Sequence, residues 1–196
     1  MLKKLTMLML CFWVVYVQGL CQVFFTPRDN IRAQLISLIK QERKSIDLAM
    51  YMFTDKTIAQ ALVDAYVRGV KVTVVLDQIS MGERYGKGVF LRNNGVLVYE
   101  HVSSNFNAFS MPIMHHKFFI FGHNATTGSG LLWTGSYNCT ASASTIHDEN
   151  VMLTDDQGAI QEYKKCFNSL LERLNPERSF LDEDEDFGEE KPFGVA

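Results

Sequence analysis

The sequence is poor in the features that would assign it to several common classes. It holds four cysteines, with no CxxC pair and no Cys/His spacing of the zinc type. That argues against both a disulfide framework and a structural metal. Loss of a leader would leave Cys21, Cys139 and Cys166, an odd set from which one pair could still form after export. Cys166 also reads simply as a core residue of the last helix. No internal repeat is present, and no apolar run reaches the roughly 20 residues of a bilayer span. A basic excess is missing too, since the formal net charge is −3. At 196 residues the chain is short for two domains and suits one α/β domain.

The ends distort the charge. Residues 182–196 carry Asp182, Glu183, Asp184, Glu185, Asp186, Glu189 and Glu190 against Lys191. Without that tail and the first 19 residues, 16 basic face 15 acidic side chains. The body is close to neutral, so composition shows no broad nucleic-acid footprint. The stretch from 181 to 196 reads as an acidic, disordered, solvating tail. The start, MLKKLTMLMLCFWVVYVQGL, has Lys3 and Lys4, an apolar run from Leu5 to Val17, and small Gly19. Residues 1–19 are therefore expected to be a secretory signal peptide or an N-terminal membrane anchor. The protein is expected to be exported (periplasmic or secreted) or anchored through this segment. Leu20 before Cys21 does not suit a lipoprotein signal.

Between these ends, strand and helix patterns alternate. Gln22–Phe25 reads as a short strand. Pro27 suits an early helix position, followed by Ile31, Leu35, Leu38 and Ile39 at helical spacing. Ser45–Phe53 is strand-like, and Thr54 suits the N-cap of a second helix bearing Ile58, Leu62 and Tyr66 and closed by Gly69. A β-branched strand over Val70–Leu76 ends at Asp77. Residues 78–94 read as a polar, Gly-containing segment, Val96–Tyr99 as a strand and 101–112 as a loop. Two apolar strands then flank a polar turn, Glu149–Leu153 forms another, and Ile160, Tyr163, Phe167, Leu170, Leu171 and Leu174 make the stripe of a final helix. The order predicts an α/β sandwich, a mixed β-sheet flanked by helices, over residues 22–176.

The chemistry concentrates in MHHKFFIFGHNATTGSGLLWTGSYNCT, Met114–Thr140. Alternate strand residues share a face, which puts His115 with Lys117 and sets His116, Phe118 and Ile120 opposite. If the apolar face is buried, His115 and Lys117 project into a cleft from the other, and the lysine needs an anionic partner. The next strand runs into Gly135-Ser136-Tyr137-Asn138. The glycine allows close backbone approach to a ligand, and Ser136 and Asn138 offer hydrogen-bond donors. Glu149, at the start of the following strand, could orient the imidazole of His115 and hold its tautomer. A histidine nucleophile, a cation, amide donors and an orienting acid are equipment for metal-free phosphoryl transfer.

These residues resemble the HxK…G-S-x-N signature of the phospholipase D superfamily. The resemblance spans roughly residues 23–175 and includes AMYMFTD (49–55), RGVKVTVVLD (68–77), MHHKF (114–118), ENVMLTDD (149–156) and the closing helix before Asn175-Pro176. It is similar to the single-motif branch, the bacterial exported endonucleases and the mitochondrial cardiolipin hydrolases. The resemblance implies a phospholipase-D-type fold and a two-step reaction without metal or other cofactor. One histidine forms a phosphohistidine, while a second protonates the leaving group and then activates water. With one motif per chain it implies a homodimer in which two copies of His115 meet across the two-fold axis. Lys117 and Asn138 would bind phosphate oxygens, Ser136 would support them, and Glu149 would hold His115.

The substrate it implies is a phospholipid (a phosphatidyl headgroup or cardiolipin) or, alternatively, a single- or double-stranded nucleic acid; contact with a membrane surface suits the first. The family's usual Asp five residues after the lysine is here Gly122. Asp77 and Asp148 are the carboxylates to check in its place, and a non-catalytic phosphate-binding module is a further reading.

Other residues read more plainly. His116 suits a buried, hydrogen-bonded histidine, whereas His123 and His147 fall in loops. Asn124-Ala-Thr and Asn138-Cys-Thr match the glycosylation sequon, though a glycan on Asn138 would block the phosphate site. Phe106, Phe109, Met111 and Pro112 read as a hydrophobic lip or as packing. Arg84, Lys87 and Arg92 read as a groove lining or as a solvated face.

Overall fold

The computed structural model describes residues 19–82, 84–102 and 112–174. Residues 1–18 of the proposed leader, the acidic tail and Phe106, Phe109 and Met111 of the hydrophobic lip lie outside them. Among the described residues no helix is long and apolar enough to cross a membrane.

Seven strands form one mixed sheet: β1 (Cys21–Phe25), β2 (Ser45–Met50), β3 (Lys71–Asp77), β4 (Leu97–His101), β5 (Lys117–Asn124), β6 (Ser129–Gly135) and β7 (Asn150–Thr154). They lie in the order β1-β7-β6-β5-β2-β3-β4. β2, β3 and β4 run parallel, joined by helical crossovers, whereas β5, β6, β7 and β1 are antiparallel neighbours. This is the α/β sandwich with a mixed sheet expected from the alternation of patterns.

Side-chain alternation divides the core in two. Ile46, Leu48, Val72, Val74, Phe119, Phe121, Leu131 and Trp133 face the layer of α1 (Ile31–Gln41), α2 (Lys56–Val67) and α3 (Gly88–Asn93). Ala49, Val75, Phe118, Ile120 and Leu132 face α5 (Gln157–Leu174), which supplies Phe167, Leu170 and Leu171. The stripe on α5 is amphipathic because only this one side meets the sheet. Phe119 and Phe121 are fully buried, and truncating either to Ala would cost about 3–5 kcal/mol.

Several boundaries differ from the sequence reading. Pro27 lies in a turn, and α1 starts at Ile31, with Asn30 as N-cap accepting from the Ala33 N–H at 3.0 Å. The second helix is capped by Asp55, not Thr54; its carboxylate accepts from the N–H groups of Thr57 (2.8 Å) and Ile58 (3.0 Å). Asp55 also pairs with Arg32 at 2.6 Å, so a carboxylate there serves cap and ion pair together. Residues 78–94 are not simply a loop: they contain a 3₁₀ turn, Gln78–Ser80, and α3. β2 stops at Met50, and Phe53 forms an isolated bridge with Cys139.

The larger correction concerns β5. A strand with one apolar face was expected, the other being free for a site. The strand is instead central, and Phe118 through Phe121 are buried on both faces. Its first end reaches the surface at the site: His115 and His116 precede the strand and Lys117 begins it.

Candidate active site

The end of the sheet where β2 and β6 finish and β5 and β7 begin gathers the polar residues singled out above. Tyr51 and Met52, which follow β2, tie its two halves together. The Tyr51 N–H donates to the His116 carbonyl at 2.9 Å, and the Met52 N–H donates to Asn138 Oδ1 at 3.2 Å. The segment itself is locked by Ser80, almost fully buried, whose hydroxyl accepts from the Phe53 N–H (2.8 Å) and donates to the Tyr51 carbonyl (2.7 Å). Tyr51 also walls the site: its ring lies 4.6 Å from that of His115 and 5.3 Å from Lys117 Nζ. Sequence reasoning placed Tyr51 within AMYMFTD but gave it no role.

His115 and Lys117 do meet. Lys117 Nζ is 3.2 Å from each ring nitrogen of His115 and donates to the His115 carbonyl at 2.8 Å. Partial burial lowers the lysine pKa, and the negative Glu149 opposes that shift.

Asn138 is held by its amide oxygen, so its Nδ2 hydrogens have no partner among the described residues and remain available as donors. Ser136 and Glu149 form a separate unit. The Ser136 hydroxyl donates to Glu149 Oε2 and accepts from the Asn150 N–H at 3.0 Å. The Glu149 N–H in turn donates to the Thr26 hydroxyl at 2.7 Å, which donates to the His147 carbonyl at 2.6 Å. The carboxylate thus sits on Ser136, while the His115 ring faces Tyr51 and Lys117. Thr26 was overlooked, being a lone threonine after a strand with no motif to signal it.

Gly135 has a different purpose from the one read in the sequence. A Cβ there would run into the Asn150 carbonyl of β7, so the close approach it permits is strand to strand. Gly122 is explained similarly. A Cβ at that position would run into Ser45 Oγ, and the carboxylate serving this corner comes from Glu42. Glu42 is fully buried, and its Oε1 accepts from the N–H groups of Lys44 (2.8 Å), Ser45 (3.1 Å) and His123 (2.8 Å). Neither carboxylate named for this place in the sequence occupies it. Asp148 is exposed. Asp77 is buried below the motif, where Oδ2 accepts from the Met114 N–H at 2.9 Å. It anchors the residue before His115.

The remaining readings sort quickly. His116 is exposed, against expectation. Its ring packs edge-on to Phe118 at 5.6 Å, and Nε2 is 3.7 Å from Cys166 Sγ. Partial desolvation, then the charges of Arg173, Lys117 and His115, lower its pKa. His123 lies in β5, not a loop. Asn124 is fully buried, donating to the Leu38 carbonyl at 2.9 Å, which removes it as a glycan acceptor in the folded protein. Arg84 stacks on Tyr85, Lys87 bonds the Tyr85 carbonyl and Arg92 bonds the Val98 carbonyl, so these cations are bound locally. Cys21, Cys139 and Cys166 are free thiols; burial pushes the Cys139 thiol well up. Among the described residues no three His, Cys, Asp or Glu side chains converge to hold a metal ion.

Known proteins resemble this chain in sequence and in fold. Residues 35–171 match the family model described as cardiolipin synthase, PLD-like domain. A mitochondrial cardiolipin hydrolase of Xenopus laevis is 30% identical over 156 residues, covering 80% of this chain and 68% of the relative. A phospholipase D of Rickettsia typhi is 28% identical over 153 residues, covering 74% and 68%. Among solved structures, Nuc from Salmonella typhimurium, a phospholipase D family member, is 27% identical with a TM-score of 0.64, covering 78% of this chain and 93% of its own.

Proposed function

The chain belongs to the phospholipase D superfamily through its PLD-like domain, and from that premise we propose that it hydrolyses phosphodiesters through a covalent phosphohistidine on His115. The observation that carries the reading is the contact between Lys117 Nζ and both ring nitrogens of His115 at 3.2 Å. It joins a nucleophile to a cation able to neutralise a phosphate oxygen.

The reaction divides into two displacements. A ring nitrogen of His115 attacks phosphorus, the P–N bond forms, and the P–O bond to the leaving alcohol breaks as that oxygen takes a proton. Water then attacks phosphorus, loses a proton to a base, and the P–N bond breaks. Lys117 Nζ and Asn138 Nδ2 take the non-bridging oxygens, whose charge they stabilise. Ser136, held by Glu149 and the Asn150 N–H, keeps the Gly135–Asn138 turn in register. One chain offers one histidine here, so the acid and base are supplied by His115 of a second copy in a homodimer with a shared site. No step requires a metal.

The substrate we favour is a phospholipid. The related proteins named cardiolipin hydrolase and phospholipase D support it, as does Ile113, 44% exposed one residue before the motif-anchoring Met114. An apolar side chain beside the site suits a lipid surface. The leader read in the sequence would place the enzyme outside the cytoplasm or on a membrane.

The full chain in EDTA, given anionic phospholipid vesicles and, separately, labelled single-stranded nucleic acid, tests this. The expected result is cleavage of lipid that His115→Asn abolishes. Cleavage of nucleic acid alone would overturn the substrate, leaving the chemistry. Tight phosphate binding with no cleavage of either would reduce the domain to a binding module.

A further inference from the structure

The opposite end of the sheet from His115 holds a second concentration of positive charge. β2 and β3 begin there side by side, with Ser45 paired to Lys71 and Asp47 to Thr73. The Lys71 N–H donates to the Lys44 carbonyl at 3.1 Å, which fixes the two lysines as neighbours. α5 crosses over these strand starts and brings Lys164 and Asn168 to the same place. Together they enclose a cleft of about 260 Å³. That is below the roughly 300–1,000 Å³ of sites for drug-sized ligands and suits a phosphate group with few attached atoms.

The floor of this cleft is built into the core. Asp47 is 6% exposed and Thr73 3%. Asp47 Oδ2 holds Lys164 Nζ at 2.5 Å, and the Phe167 ring lies 5.6 Å from the same nitrogen. Lys164 is thereby pinned with its ammonium at the cleft. Asp47 is the one carboxylate in the lining among the described residues, against Lys44, Lys71 and Lys164. The nearby Glu42 is turned to the backbone, its Oε1 accepting from three N–H groups, and it makes no ion pair with Lys44 or Lys71. Lys44 and Lys71 have no ion-pair partner among the described residues. Neighbouring like charges repel, and an anion between them reverses the sign of that interaction.

We propose that this cleft is a second anion site, distinct from the catalytic one, for a phosphate or small phosphomonoester dianion. Two lysines without an ion-pair partner among the described residues supply the cations, and the hydroxyls of Ser45 and Thr73 with the amide of Asn168 supply neutral donors. The inference stands apart from the hydrolytic reading. If that reading holds, hydrolysis of a diester generates the phosphomonoester group that this cleft suits.

Inorganic phosphate titrated into the full-length protein at constant ionic strength, followed by the amide NMR signals of Ser45, Thr73 and Asn168, tests the site. Saturable shifts are expected, with glycerol phosphate competing for them. The double variant Lys44→Gln/Lys71→Gln, on exposed positions, should weaken them by about tenfold or more, the equivalent of losing charge-assisted hydrogen bonds. Lys117→Met should leave them unchanged, separating this cleft from the catalytic phosphate site. Equal shifts with chloride, or shifts that survive the double variant or vanish with Lys117→Met, would overturn the proposal.

Discussion

Lys117 Nζ stands within 3.2 Å of both ring nitrogens of His115, although the strand that Lys117 opens is buried on both faces. They can meet because the strand begins at Lys117 and the histidine lies beyond its end. Tyr51 backs the pair and Asp77 anchors the residue before it. In the proposed reaction the lysine has two duties, holding the imidazole and receiving phosphate.

Removing that ammonium should therefore harm turnover more than stability. Lys117→Met is expected to lower kcat/KM by about 10²–10³ with little change in Tm. The lysine pKa is lowered by partial burial, so catalysis should fail on the alkaline side earlier than an ordinary lysine would allow. The stability effect has the opposite sign. Between the lowered folded pKa and the ordinary value, the unfolded chain binds more protons, so this group's contribution to stability rises with pH. Parallel pH profiles of rate and Tm check both.

Ser136 and Glu149 should behave as one unit. Each single change, Ser136→Ala or Glu149→Gln, is expected to lower kcat by roughly tenfold or more. The double variant should be no worse than the poorer single by more than a few-fold, because both remove one shared hydrogen bond. Fully additive losses in a double-mutant cycle would show that the two act separately.

Glu42 carries the structural load at the corner of Gly122. Glu42→Ala would orphan three backbone N–H groups and should cost about 3 kcal/mol or more. Gly122→Asp, although it restores the residue usual in the family, should also destabilise, by about 1–3 kcal/mol. The Cβ meets Ser45, and the new carboxylate lands close to Glu42. Urea titrations of both variants decide it, and a Gly122→Asp protein more stable than wild type would contradict this account.

The proposed homodimer, with two copies of His115 at one site, predicts a dominant effect. Mixing wild type with an equal amount of His115→Asn after joint refolding should leave about a quarter of the dimers with both nucleophile and acid. Activity per total protein should fall to about a quarter of the wild-type value, and not to the half expected of independent chains. His116→Ala, by contrast, should retain the rate within about threefold, since the His116 ring packs on Phe118 and Cys166 and its change is a surface substitution.

The sequence by itself determined the element types and the identity of the motif, for physical reasons visible in it. Period-two and period-3.6 patterns name strands and helices whatever their neighbours, as in Lys71–Asp77 and Gln157–Leu174. His115, Lys117, Ser136 and Asn138 stood out because polar residues at the ends of apolar strands have no use in a core. What pattern could not reveal was each side chain's partner across the fold. Only the tertiary structure decided that β5 is covered on both sides, that Gly135 makes room for the Asn150 carbonyl, and that Glu149 takes Ser136. Only it brought Thr26, Tyr51 and Asp77 to the motif, and Glu42 to Gly122. Those choices depend on strand order and on buried donors that must be satisfied. They belong to contacts between residues distant in sequence, which no local pattern encodes.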